Sequence, residues 1–418
     1  MPDIVRIQRI QPDLWTIAPP GSPSTAGRDP GLDTAVLEVV GGYLTWSLTA
    51  GQRVPAATLH DLDAAQEWLW ALYGADVALA VDEYTVPVDL AARPERPDLA
   101  ATLRRLGYAH WAARWWPAST VDGIAALDPG LLEREIAELA QFCESVVDGA
   151  DSATGSGADA DGLPDIREAD VRAPGRSAAR ADDYALAAGG APADRGAALL
   201  LGRGNAGWDW RYCPAGVVDA SERAVSWELF RSAGGTTVRV HAVVSPSATA
   251  ELPAYLSPHA LIRTPAGSVD AVLELSGDTW TGEVAGPADS IAGVEIYVPG
   301  IGPTALVGEA AGVPPPAVDV HVTDSAAFIE PGDGQHSPGS TAGAEQRQRI
   351  RELVRTRLRM AAGDTGFGAM EPDAGTTTSG PGGVEGAEGS APRAHGYPLA
   401  DIAPLRAEIA AVEEDSDF

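Results

Sequence analysis

Residues 150–165, ADSATGSGADADGLPD, set the first limit on how this chain can fold. The stretch is small, polar and acidic, and APGRSAARADD continues in the same way to about residue 183. Such a composition cannot bury enough apolar surface to offset the entropy of ordering it. It reads as a flexible acidic linker over 150–195, so the chain must build its cores on either side. A length of 418 residues fits two domains plus extra segments.

Before the break, residues 1–149 carry alternating strand and helix signals. VRIQRI (5–10) and LWTIA (14–18) alternate sides. TAVLEVV (34–40) and YLTWSLT (43–49) flank Gly41–Gly42, a hairpin signal. DLDAAQEWLWALYG (61–74) predicts a helix capped by Asp61 or Asp63 and closed by Gly74. VALAV and TVPVDL (77–90) predict one or two strands. RPDLAATLRRLGY (96–108) predicts a second helix ending at Gly107. DPGLLEREIAELAQFCESVVDG (128–149) predicts a third, with Asp128 as cap and Pro129 in the first turn. The expected fold of this part is a small α+β domain.

After the break, strand periodicity takes over. AALLLG (197–202), AVSWELFRS (224–232), TTVRVHAVVS (236–245), HALIRTP (259–265), SVDAVLELS (268–276), TWTGEVAG (279–286) and GVEIYVPG (293–300) predict strands. Turns are expected at Gly234–Gly235, Ala266–Gly267 and Gly277–Asp278. Short strands at regular spacing predict an all-β antiparallel sandwich, immunoglobulin-like, over 196–307. Residues 308–418 read as a mostly disordered tail rich in Pro, Gly, Ser and Thr. Two helical islands interrupt it, near 344–360 and 401–414.

The net charge is −30, with 59 acidic against 29 basic residues. A field of that sign repels phosphate backbones and anionic lipid, so nucleic acid is not an expected partner. Every basic residue is arginine and Asn205 is the sole asparagine, a bias that points to a high-GC bacterial genome. Cys143 and Cys213 lie far apart, and no CxxC or Cys/His spacing exists, so neither a disulfide framework nor a metal site is expected. The N-terminus lacks the pattern of a signal peptide, and no run is apolar and long enough to span a membrane. The expectation is a cytoplasmic protein.

Few motifs suggest chemistry. Gly202, Gly204 and Gly207 match GxGxxG, but WDWRYCPAG follows where a helix would have to start, so a glycine-rich turn is the better reading and no cofactor is expected. GADADGLPDIRE places Asp159, Asp161, Gly162, Asp165 and Glu168 at the third, fifth, sixth, ninth and twelfth places of a calcium loop. Gly157 stands where the first carboxylate belongs, so the stretch reads as acidic linker. Sequences of the kinds GxSxG, HExxH and SxxK do not occur. Asp82 and Glu83 would point to opposite faces of a strand, and His241 and His259 fall in or beside strands. No catalytic residues are assigned.

Two segments suggest binding instead. AEQRQRIRELVRTRLRM carries Arg347, Arg349, Arg351, Arg355, Arg357 and Arg359 beside an apolar stripe of Ile350, Leu353, Val354 and Leu358. Such a basic amphipathic helix docks on a partner, or packs back on its own acidic chain. Arg347, Arg351 and Arg355 are the candidate partner contacts. HWAARWWPAST (110–120) holds three tryptophans. Trp111 and Trp115 share a face and are expected to fill the core between the helices at 96–108 and 128–149. Trp116 diverges before Pro117 and is a candidate partner contact, and Arg114 can stack on a neighbouring ring.

WAARWWPAST with the leucine-rich acidic helix after it, and the block WDWRYCPAGVVDASERAVSWEL, resemble uncharacterised proteins of high-GC bacteria. Those proteins are similar to components of predicted ternary systems encoded beside a MoxR-type AAA ATPase and a von Willebrand A-domain protein. The resemblance implies an adaptor or recognition part, with the ATPase or the A-domain protein as partner, and implies no catalytic residues. The expected function is a non-catalytic adaptor or scaffold that mediates protein–protein interaction in a bacterial multi-component system. The alternative is an enzyme or small-molecule binder with its site between the Trp-rich segment and the sandwich.

Overall fold

The computed structural model describes residues 3–20, 22, 30–147, 198–232, 234–248, 252–265, 267–286, 290–302, 341–363, 399 and 401–416. The acidic linker, the calcium-like loop at 157–168 and much of the tail lie outside the described residues. Mixed helices and antiparallel sheets make up the rest. In chain order the elements are β1 (Asp3–Gln11), β2 (Leu14–Ala18), β3 (Thr34–Val39), β4 (Gly42–Ser47), β5 (Ala56–Leu59), α1 (Leu62–Tyr73), α2 (Ala75–Asp82), β6 (Val88–Ala92), α3 (Pro97–Trp115) and α4 (Pro129–Phe142). There follow β7 (Leu199–Ala206), β8 (Val225–Ser232), β9 (Gly235–Val243), β10 (His259–Thr264), β11 (Gly267–Val272), β12 (Glu274–Ser276), β13 (Thr279–Gly286) and β14 (Gly293–Tyr297). The helices α5 (Thr341–Ala361) and α6 (Arg406–Ser416) close the chain. Among the described residues no helix is long and apolar enough to cross a membrane.

Two compact units interleave along the sequence. Unit 1 takes residues 1–111, 128–147 and 352–418; unit 2 takes 112–127 and 148–351. The expectation of successive segments, 1–149 and then 196–307, differs from this grouping in two places. Residues 112–127 group with the later strands, and the end of the chain groups with the N-terminal elements.

Unit 1 is a six-stranded antiparallel sheet in the order β3-β4-β5-β2-β1-β6, with helices on one face. Strand alternation sends Ala35, Leu37, Val39, Leu44 and Trp46 inward, where all are nearly solvent-free. Val36, Glu38, Tyr43 and Thr45 point to the opposite face. Asp61 caps α1 through Ala64 N at 3.1 Å, and Asp128 caps α4 through Leu131 N at 2.8 Å.

Two expectations for this unit are corrected. VALAV is not a strand but the middle of α2: Val77, Ala78 and Val81 share a buried helical face while Leu79 is exposed. A short apolar run does not distinguish a strand from a buried helix. Gly107 does not end α3, which continues to Trp115 and stops where Pro117 forbids another turn. Gly107 is there because a Cβ would lie 3.0 Å from the Trp46 ring. Gly107→Ala is therefore expected to destabilise the chain by about 1–3 kcal/mol despite the better helix propensity of alanine, because the indole must move. A urea midpoint equal to or above wild type would show that the ring gives way freely.

Unit 2 contains a three-stranded sheet, β11-β10-β14, and a five-stranded sheet, β12-β13-β9-β8-β7, both antiparallel. The β12–β13 hairpin turns at the expected Gly277–Asp278, and the β8–β9 and β10–β11 hairpins turn one residue earlier than expected, with Ser232 opposite Gly235, Thr264 opposite Gly267 and Ser276 opposite Thr279. The segment expected as one strand over 268–276 divides at Leu273. β11 pairs in the small sheet and β12 in the large one. The GRGNAG turn expected at 202–207 is corrected as well. Its first five residues belong to β7, and a Cβ at Gly204 would lie 2.7 Å from Trp227 on the paired strand. The glycines make room for an indole.

Candidate functional site

In unit 2 the segment after α3 is held by one carboxylate. Asp219 is solvent-inaccessible. Its Oδ1 accepts from Ser119 Oγ at 2.7 Å and Ser221 N at 2.9 Å, and its Oδ2 from Thr120 N at 2.7 Å. The Asp219 backbone carbonyl accepts from Trp208 Nε1 at 2.8 Å. Burial pushes the Asp219 carboxyl above the usual carboxylate range, against the pull of these donors. Sequence reasoning missed Asp219 because Ser119 and Thr120, which it holds, lie about a hundred residues upstream.

The basic helix meets acidic groups of its own chain. Arg347 donates through Nε and Nη2 to the two carboxylate oxygens of Glu222, at 2.6 and 2.7 Å. Arg351 donates to the Ala220 carbonyl at 3.1 Å and to Glu222 at 3.2 Å, and lies 3.6 Å from Asp122. Both arginines are buried. Arg355 is half-buried. Trp116 is 9% exposed, and its Nε1 donates to the Ala125 carbonyl at 2.8 Å. Within unit 2, Arg347 and Arg351 thus converge on Glu222, while Trp116 has a carbonyl as its partner.

The tryptophan run divides by role. Trp111, in unit 1, stacks on Tyr108 with ring centres 5.8 Å apart and donates to the Leu32 carbonyl at 2.7 Å. Trp115, in unit 2, is only half-buried, with the Arg114 guanidinium 5.1 Å from its ring centre. Trp115 and Trp116 line a cleft with Trp208, Trp210 and Cys213, of about 30 Å³. That volume admits roughly one water molecule.

His259 Nδ1 lies 2.8 Å from Asp270 Oδ2, and the Tyr297 hydroxyl donates to Asp270 Oδ1 at 2.9 Å. Burial and the Asp270 bond push the Tyr297 phenol up to about 12. It stays a donor at neutral pH, and the cluster ties β10, β11 and β14 together. Among the described residues no group of three or more His, Cys, Asp or Glu is placed to hold a metal ion.

Unit 1 carries the larger concavity. On the face of the sheet opposite Trp46, Val36, Glu38, Tyr43 and Thr45 border a hollow of about 330 Å³ with Pro30 and His60. Ligand pockets begin at about this volume. Pro30 and Val36 supply apolar lining, and four polar side chains are at hand: the Glu38 carboxylate, the Tyr43 phenol, the Thr45 hydroxyl and the His60 imidazole. The hollow borders β3, the edge strand of the sheet among the described residues.

Unit 1 also holds the end of its own chain. Arg357 and Glu408 are both solvent-inaccessible. The guanidinium donates through Nε to Glu408 Oε1 at 3.0 Å and through Nη2 to Oε2 at 2.7 Å. The Tyr108 hydroxyl donates to Glu408 Oε1 at 2.6 Å. Burial, with the Glu408 charge, pushes the Tyr108 phenol well above its usual value. Burial works against the Arg357 charge, yet Tyr108 and Glu408 outweigh it and hold the guanidinium more firmly protonated.

No family model, no curated protein and no solved structure matches this chain.

Proposed function

We propose that the chain is a non-catalytic adaptor of a bacterial multi-component system that binds protein partners. The observation that carries this reading is the hollow of about 330 Å³ on the unit 1 sheet, beside β3, which is the edge strand among the described residues. An AAA ATPase or a von Willebrand A-domain protein is the partner that the sequence resemblance suggests, and the cytoplasm is the compartment. In the same reading the two sheets of unit 2 form an immunoglobulin-like sandwich. The test is binding of the purified ATPase and A-domain protein encoded nearest this chain. Val36→Glu with Tyr43→Ala is expected to weaken binding about tenfold or more, as truncation of a central anchor does, with an unchanged thermal midpoint. No binding by wild type, or binding indifferent to the substitutions, rejects the reading.

An enzyme or small-molecule binder is the second reading. The carboxylate, phenol and imidazole around the same hollow favour it there over the Trp-lined cleft, which has room for about one water.

A further inference from the structure

The end of the chain reaches unit 1 as a ligand reaches a groove. Residue 399 and residues 401–416 follow α5 only after the intervening stretch 364–398. The segment seats Leu399, Ile402 and Leu405 as buried apolar anchors. Between and beyond them its charges meet charges of opposite sign. Asp401 Oδ2 accepts from Arg104 Nη1 at 2.6 Å and lies 3.7 Å from Arg53 Nε. Arg406 donates to both oxygens of Glu138, at 2.8 and 2.6 Å. Glu408 takes Arg357 and Tyr108. Apolar anchors at short spacing with charges read between them are the grammar of a helix or peptide in a groove.

The fit is incomplete at one end. Arg104 is 7% exposed, and its Nε and Nη2 are buried with no hydrogen-bond partner among the described residues. Asp401 is 45% exposed and serves two guanidiniums with one carboxylate. A buried donor without an acceptor is costly, so a ligand offering one more acceptor here would gain over the chain's own end.

We infer that this groove is a docking site for an acidic amphipathic segment of another protein, and that residues 399–416 are its resident competitor. A covalent tether keeps a segment at an effective concentration on the order of millimolar, so an incoming ligand must bind better than the resident one to displace it. The extra acceptor at Arg104 supplies part of that margin, and the concentration of the incoming segment supplies the rest. The inference is independent of the sheet hollow, and its test leaves that face unaltered.

The test uses the full chain with a protease site inserted within 364–398, cut after folding, and a fluorescent peptide of residues 397–418 as probe. The cut chain is expected to exchange its own end for the probe. The uncut chain should bind the probe about tenfold or more weakly, and Asp401→Asn in the uncut chain should recover part of that loss. A probe with an added carboxylate beside Asp401 (Ala400→Asp) should bind about fivefold tighter, a gain lost in Arg104→Met. A cut chain that keeps its own end and takes up no probe overturns the inference. So does one that loses its far-ultraviolet circular dichroism on cutting, or an added carboxylate that brings no gain.

Discussion

Glu408→Ala is expected to lower the unfolding free energy by about 3–5 kcal/mol, because it strands a buried guanidinium. Arg357 would keep its carbonyl acceptors, Leu399 at 3.1 Å and Ile402 at 2.6 Å, but would lose its only described counter-ion at contact distance. The Tyr108 hydroxyl would lose its acceptor as well. Arg357→Met with Glu408→Leu removes both charges together and is expected to cost less than the single substitution, since no ion is left alone in a dry site and the cost that remains is that of the Tyr108 hydroxyl and the Leu405 amide losing their acceptor. Urea unfolding of the two variants separates the ideas. A single substitution that costs no more than the double one would mean that the pair is better solvated than its burial implies.

Asp219→Ala is expected to cost about 3 kcal/mol, since the Ser119 hydroxyl and the amides of Thr120 and Ser221 lose their acceptor. Asp219→Asn keeps one acceptor oxygen and should cost less. The pH dependence has a definite sign. Burial holds the folded carboxyl above its unfolded value, so in the interval between them the folded chain binds more protons than the unfolded one. The contribution of Asp219 to stability is therefore largest below the unfolded value and falls as pH rises through the folded one. The urea midpoint of wild type minus that of Asp219→Asn should fall as pH rises above the ordinary aspartate value of about 4. A difference that stays level or rises with pH contradicts the assignment.

Local signals were legible in the sequence, and distant pairings were not. Asp61 and Asp128 mark helix starts because a cap acts within three residues of itself. The three hairpin turns of unit 2 are visible for the same reason. VALAV misleads because five apolar residues satisfy two periodicities at once. Gly107 misleads because its role depends on Trp46, some sixty residues earlier in another element. The arginine stripe of α5 is plain in the sequence, but what it meets is not: Glu222 and Asp122 lie far upstream, and Glu408 lies beyond residues 364–398. The candidate hollow shows the same limit. Val36, Glu38, Tyr43 and Thr45 are legible as one face of a hairpin, yet His60 and Pro30 join them only through the fold.

The division of one segment between two sheets at Leu273 limits how this gene can drift. Leu273 is 1% exposed, and its amide donates to the Pro258 carbonyl at 3.0 Å. Ordinary strands tolerate a slipped residue by shifting one set of neighbours. Adding or deleting a codon between Val272 and Glu274 would invert the inside and outside of β11 relative to β12, and each already answers to a different sheet. Length changes in this half of the protein should therefore collect at the hairpin tips, while the six bases on either side of the Leu273 codon change by substitution alone.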